Sequence, residues 1–261
     1  MRRPHRFADP GLRASRDEAD WRRFVKTAGI AIVCKTPEAG QSKTRLSPPL
    51  THAQCAALSE CFIRDLAANI RSLCEARGFS GYAVYTPVGS EATLRRLLPG
   101  GFGLIPQCEG DLGARLLRAT EDVLARGHDA AILLNADSPT LPMALLEAAA
   151  DRLFESDCVA LGPAVDGGYT FIGLTRAHPR LFEDMPWSTD RVHRLTQARA
   201  AAIALPVFNT APWYDVDDAS SLTLLEAELG GQRPAFAAEG HRPEAAPATA
   251  AMLKALGLER G

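Results

Sequence analysis

Residues 35–46 gather the cations Lys35, Lys43 and Arg45 with the hydroxyls of Thr36, Ser42 and Thr44. Gly40, in their midst, permits backbone turns closed to other residues. Such a loop can present N–H groups and positive charge to a phosphate, or it can be a solvated basic loop. It is not a P-loop, because that motif needs glycines where Pro37 and Ser42 stand. Asp137 follows an apolar run, and a hard cation takes one or two such carboxylates with phosphate oxygens. Its alternative is to cap the next helix or turn. Asp215 and Asp217 stand two apart, so in a strand they face the same way. Like charges gathered there are costly without a cation, unless these positions and Asp218 serve only as caps and solvated groups.

Asp166-Gly167-Gly168-Tyr169 offers backbone that a ligand can approach closely and a carboxylate able to take a hydroxyl proton. An Asp-Gly turn between two strands reads equally well. Asp111 suits a helix cap, and Arg115, one turn on, is within reach of a phosphate. Trp187 is either core or a ligand platform, with Thr189 as a cap. No GxSxG, HExxH or Cys–His constellation competes. His5, His52, His128, His178, His193 and His241 lie in polar or terminal contexts and are expected to be solvated.

The elements that position these residues alternate. Ile30–Cys34, Gly81–Tyr85, Phe102–Pro106 and Ala130–Leu134 read as strands, the first as one buried on both faces. Between them, Thr51 opens a helix with Gln54 completing a capping box, and Gly78 ends it. Further helices are expected at Glu91–Leu98, Asp111–Arg126 (stopped by Gly127) and Pro142–Phe154. The second half predicts strands at Cys158–Leu161, Tyr169–Leu174 and Ile203–Phe208, the last at an edge or bulge because of Pro206. Helices are expected at Thr189–Ala200, Ala219–Leu229 and Ala248–Leu258. Alternation of this kind predicts a three-layer α/β/α domain with a mostly parallel, mixed central sheet and ligands beyond the strands' carboxyl ends.

Residues 1–27 read as a poorly ordered arm with a short helix around Asp17–Lys26, 28–229 as one catalytic domain, and 230–261 as a linker and closing helix. The chain has 261 residues, 46% of them hydrophobic and 23% charged, which excludes global disorder, collagen and a disulfide scaffold. Its 29 basic and 31 acidic residues leave a net charge of −2, which argues against a nucleic-acid polymer as partner. No apolar run reaches the roughly 18 residues of a membrane span, and Arg2-Arg3 lacks the apolar stretch of a signal peptide. Six cysteines without a CxxC pair read as buried hydrophobes in a reducing compartment, so a cytoplasmic location is expected.

Taken in order, Lys35–Leu46, Gly110–Leu116, Asp137–Pro139, Asp166–Tyr169, Trp187–Thr189 and Asp215–Asp217 resemble the motifs of the arsenosugar-biosynthesis-like glycosyltransferases. That family belongs to the nucleotide-diphospho-sugar transferase superfamily with the GT-A fold, and the resemblance covers about residues 28–229. It implies a nucleotide and phosphate site at Lys35, Gly40, Lys43, Thr44, Arg45 and Arg115. It implies a divalent metal, Mg²⁺ or Mn²⁺, held by Asp137 with Asp217 or Asp215. It implies an acceptor site at Gly167, Gly168, Tyr169 and Trp187, with Asp166, Asp137 and Lys43 catalytic. Two positions depart from the pattern: the paired DxD reads Asn135-Ala136-Asp137, and Thr170 stands where an aromatic is common. The implied reaction moves a sugar from a nucleotide-diphospho-sugar to a small-molecule acceptor. The Lys-x-Arg-Leu loop is also similar to that of phospholactate guanylyltransferases. This keeps open a nucleotidyl transfer from an NTP to a phosphorylated small molecule, and beyond that a non-catalytic nucleotide-binding protein. The sequence gives no oligomeric state.

Overall fold

The computed structural model describes residues 25–257. Most of the arm expected at 1–27, and nearly all of the short helix expected at Asp17–Lys26, lie outside them. Seven strands form one sheet in the order β3-β2-β1-β4-β6-β5-β7. They are β1 (Ala28–Lys35), β2 (Ser80–Thr86), β3 (Gly103–Pro106), β4 (Ala130–Asn135), β5 (Val159–Pro163), β6 (Tyr169–Leu174) and β7 (Val207–Asn209). β1 pairs in parallel with β2 and β4, and β2 with β3. β6 runs antiparallel to both β4 and β5, and β7 joins β5 in parallel. The result is the mixed, mostly parallel three-layer α/β fold expected from the alternating pattern.

β1 shows why a continuous apolar run marks a central strand. Ile30, Ile32 and Cys34 pack on one face, and Ala31 and Val33 on the other. The first face is covered by α1 (His52–Arg77), α2 (Glu91–Leu97), α4 (Met143–Glu155), α6 (Ala219–Leu229) and α7 (Pro247–Ala255). The second is covered by α3 (Leu112–Leu124) and α5 (Val192–Ala202). Local chemistry sets the boundaries. The Thr51–Gln54 capping box opens α1, and left-handed Gly78 closes it. Asp111 caps α3 through Ala114 N–H, and Asp218 caps α6 through Ser221 N–H. Buried Asp65 on α1 accepts from the N–H groups of Ala248 and Thr249 at the start of α7, where a carboxylate also meets the positive end of the helix dipole.

Several expectations need correction. Ile203–Leu205 is not strand. Left-handed Ala204 and a hydrogen bond from Leu205 N–H to Ala200 O close the end of α5, and pairing begins only at Val207. α5 starts at Val192 rather than Thr189, whose hydroxyl donates instead to Pro186 O. The histidines are not uniformly solvated. His128 packs edge-on against Tyr82 with its Nε2 2.7 Å from the phenol oxygen, and His193 Nε2 lies 2.9 Å from Asn209 Oδ1. All six cysteines are free, and five are buried.

One buried acid is unconnected with any motif. Glu228 on α6 is 6% exposed, with its carboxyl beside the hydroxyls of Thr140 and Tyr214 but outside hydrogen-bond geometry. Burial pushes it up to about 7, against the opposing pull of those hydroxyls.

Candidate active site

The crevice lies where strand order reverses, between the carboxyl ends of β1 and β4, the position where open α/β sheets bind ligands. After β1 the chain makes a compact turn. The Gln41 and Ser42 N–H groups donate to Glu38 O, Ser42 Oγ accepts from Glu38 N–H, and Gly40 takes a φ of 75°. Lys43 follows with a φ of 51°, a left-handed conformation costing a non-glycine residue roughly 1–2 kcal/mol. It sends the ammonium inward, where Nζ lies 2.7 Å from Asp137 Oδ1, 2.8 Å from Asp217 Oδ1 and 2.7 Å from Val216 O. All three donors of the ammonium are therefore used, and charge-assisted bonds of this kind offset the backbone cost. The Lys43 side chain is only 6% exposed. Burial pulls its pKa down, but Asp137 and Asp217 outweigh that and leave it raised.

The 215–217 segment is held against the end of β4. Val216 N–H donates to Asp137 O, and Ser138 Oγ lies 2.6 Å from Asp215 Oδ1. Burial pushes the Asp215 carboxyl up to about 7. Ser138 and Asn135 pull it down, while the charges of Asp137 and Asp217 add to the rise. Asp137 does not cap α4, which begins after Pro142. Among the described residues no three His, Cys, Asp or Glu side chains form a ready metal cluster. Asp137 and Asp217 still fit a hard divalent ion arriving with phosphate, because their second oxygens accept no hydrogen bond from the described residues.

Two adjoining cavities open here. The first, about 270 Å³, is lined by Lys35, Lys43, Thr44, Arg45, Asp137 and Asp217, among others. Lys35 Nζ bonds Gln41 Oε1, a lining residue that the motif reading passed over. The second, about 380 Å³, shares Arg45, Asn135 and Asp217 with the first and extends to Asp166, Gly168, Tyr169 and Trp187. Asp166 lies in the turn joining β5 to β6, and its Oδ1 accepts from Gly168 N–H at 2.8 Å. The turn reading of this segment thus holds while the carboxylate lines the cavity. Gly167 has a φ of 92°, and a Cβ there would sit 2.2 Å from Asp190 O. Trp187 meets Tyr169 edge-on, with ring centroids 6.5 Å apart.

Not every expected residue arrives. Arg115 turns back, its Nε donating to Gly110 O, and it lines neither cavity. Gly40 shapes the loop without lining either cavity, and Gly167 acts through its fit against Asp190. Asp190 and Leu112, which no motif singled out, line the second cavity. The only signal was position: Asp190 follows the Trp187–Thr189 motif, and Leu112 lies within Gly110–Leu116 at the start of α3.

Comparison with known proteins gives the same frame. A family described as "Uncharacterized protein conserved in bacteria (DUF2064)" matches residues 69–189. No curated protein matches the chain in sequence. The crystal structure of a "putative nucleotide-diphospho-sugar transferase" from Desulfovibrio desulfuricans G20 is similar at 25% identity and a TM-score of 0.73, covering 88% of this chain and 95% of that one. CMP:2-keto-3-deoxy-manno-octonic acid synthetase, solved with CTP, superposes at 14% identity and a TM-score of 0.51, covering 79% and 99%. A cytidylyltransferase from Leptospira borgpetersenii serovar Hardjo-bovis (strain JB197) does so at 13% and 0.50, covering 89% and 95%. The last two likenesses are of fold. The findings support the nucleotide-diphospho-sugar transferase superfamily and a transferase that uses nucleotides. No helix among the described residues is long and apolar enough to cross a membrane.

Proposed function

We propose that the protein is a metal-dependent glycosyltransferase that moves a sugar from a nucleotide-diphospho-sugar to a small-molecule acceptor. The observation that carries the reading is the continuity of a cation-lined cavity with a second, acid- and aromatic-lined one across the Lys43–Asp137–Asp217 cluster. Lys35, Thr44 and Arg45 would bind the diphosphate, with Lys43 at the junction. Charge on the leaving diphosphate grows in the transition state, so cations fixed beforehand stabilise that state selectively. Asp137 and Asp217 would hold Mg²⁺ or Mn²⁺, which supplies further neutralisation of the leaving group when bound. Asp166 Oδ1 is engaged by Gly168 N–H, leaving Oδ2 to take the acceptor hydroxyl's proton as that oxygen attacks the anomeric carbon. Tyr169 and Trp187 would flank the acceptor.

The test is product analysis on a panel of nucleotide-sugars and NTPs with Mg²⁺ or Mn²⁺. Release of nucleoside diphosphate from a sugar donor, lost in chelator after metal stripping, is expected. Full activity in chelator overturns the metal role. Pyrophosphate release from an NTP would instead establish nucleotidyl transfer. Binding with no turnover on either substrate class would leave a nucleotide-binding protein.

A further inference from the structure

The two cavities differ in charge. The first sets Lys35, Lys43 and Arg45 against Asp137 and Asp217. In the second, Asp166 and Asp190 have no ion pair among the described residues, Asp217 is shared with Lys43, Asp215 is buried against Ser138, and the lining's cation is Arg45, at the boundary with the first. A diphosphate in the first cavity would engage that same arginine. Much of the remaining lining is apolar or aromatic, including Leu116, Ile172, Tyr169 and Trp187, beside the neutral polar side chains of Asn135 and Thr170. Leu112 stays 41% exposed at its edge, and Val165, next to Asp166, is 54% exposed. Hydroxyls are supplied by Ser188 and Thr189. A phosphate or carboxylate placed here would lose its hydration among like charges, with no donor cation to replace it. An apolar body would instead remove lining side chains and itself from water.

Resting on the glycosyltransferase reading, we infer that the acceptor is an alcohol with an apolar or aromatic body and no anionic group. The acidic lining excludes phosphorylated and carboxylated acceptors, the aromatic pair holds the body, and selectivity is set by charge rather than by a dedicated anion site. Asp190 is a specificity-determining residue in this arrangement. The atoms of Asp190 nearest Gly167 are backbone, and its side chain makes no hydrogen bond or ion pair among the described residues, so it can be changed with the turn's bonds kept.

The experiment is a calorimetric titration of the full chain with 3-phenoxy-1,2-propanediol and with its phosphate monoester. Saturating inorganic pyrophosphate is present to occupy the cation-lined cavity. The neutral diol is expected to bind at least tenfold more tightly than the ester. Asp190→Lys is expected to narrow that gap at least threefold, with the diol itself changed less than twofold. Equal or tighter binding of the ester overturns the inference, as does failure of the diol to bind. A gap untouched by Asp190→Lys overturns the role of Asp190. No turnover is needed, so this result is independent of which product the transfer assay detects.

Discussion

Glu228→Gln isolates the cost of one buried acid. The carboxyl is 6% exposed, and burial carries it from the ordinary 4.5 to about 7. At pH values below 4.5 it is neutral in both folded and unfolded chains, and the amide variant should match the wild type. As pH rises toward 7, the unfolded chain ionises first, so the folded state binds the extra proton and wild-type stability falls. Above about 7 the folded chain ionises too, and the loss levels off. The full rise in pKa corresponds to about 3 kcal/mol, of which about 2.5 kcal/mol falls between pH 5 and pH 8. Glutamine keeps the shape and can donate to the neighbouring hydroxyl oxygens of Thr140 and Tyr214. Urea denaturation of both proteins at pH 5, 6, 7 and 8 reads the difference directly, and unchanged m-values confirm that unfolding exposes the same surface. The variant should gain on the wild type by that amount across the series. A difference that stays flat from pH 5 to pH 8 would show that water or a counter-charge already relieves Glu228, and would refute the burial argument.

Lys43→Met should weaken nucleoside diphosphate binding at least tenfold by calorimetry without added metal, because it leaves the carboxylates of Asp137 and Asp217 uncompensated beside the diphosphate. Retained affinity would remove Lys43 from the phosphate site. Asp218→Ala deletes the cap of α6 and should cost about 1 kcal/mol, a fall of about 2–4 °C in Tm for a chain of this size. Ser221 N–H, first among several donors, holds the Asp218 carboxyl at about 2. Its contribution is therefore present above pH 4 and is lost as pH falls toward 2, so the two proteins should converge in acid. Gly167→Ala must either strain a φ of 92° or push the Asp190 carbonyl away. A loss of at least 1–3 kcal/mol in urea denaturation is expected, and a neutral result would mean that the turn relaxes freely.

β1 and β4 were legible because each is buried on both faces and reads as an unbroken apolar run between turn residues. β7 was legible as an edge strand but not in its bounds, because the apolar Ile203–Leu205 is consumed in closing α5, a tertiary outcome that no propensity separates from pairing. Among site residues, position after a strand located Lys35, Asp137 and Asp166, since a parallel sheet delivers its strand ends to one edge. The sharing of Lys43 between Asp137 and Asp217 was not legible. It links residues 174 positions apart, and it depends on a left-handed backbone at a lysine that sequence gives no reason to expect. Arg115 failed for a local reason: its guanidinium had a carbonyl five residues back within reach.

The reversal at β6 has a bearing on how such a protein can diversify. β1 and β4 both hand the chain on toward helices. The turn entering β6 is pinned at both ends, by Ala164 N–H to Gly168 O and by Trp213 N–H to Pro163 O. An inserted residue there would have to be taken up by the turn at the expense of these bonds, because β6 is held in register between β4 and β5. On the glycosyltransferase reading proposed above, new acceptors would be reached by exchanging side chains around this turn, at positions such as 112, 165 and 190, rather than by changing its length.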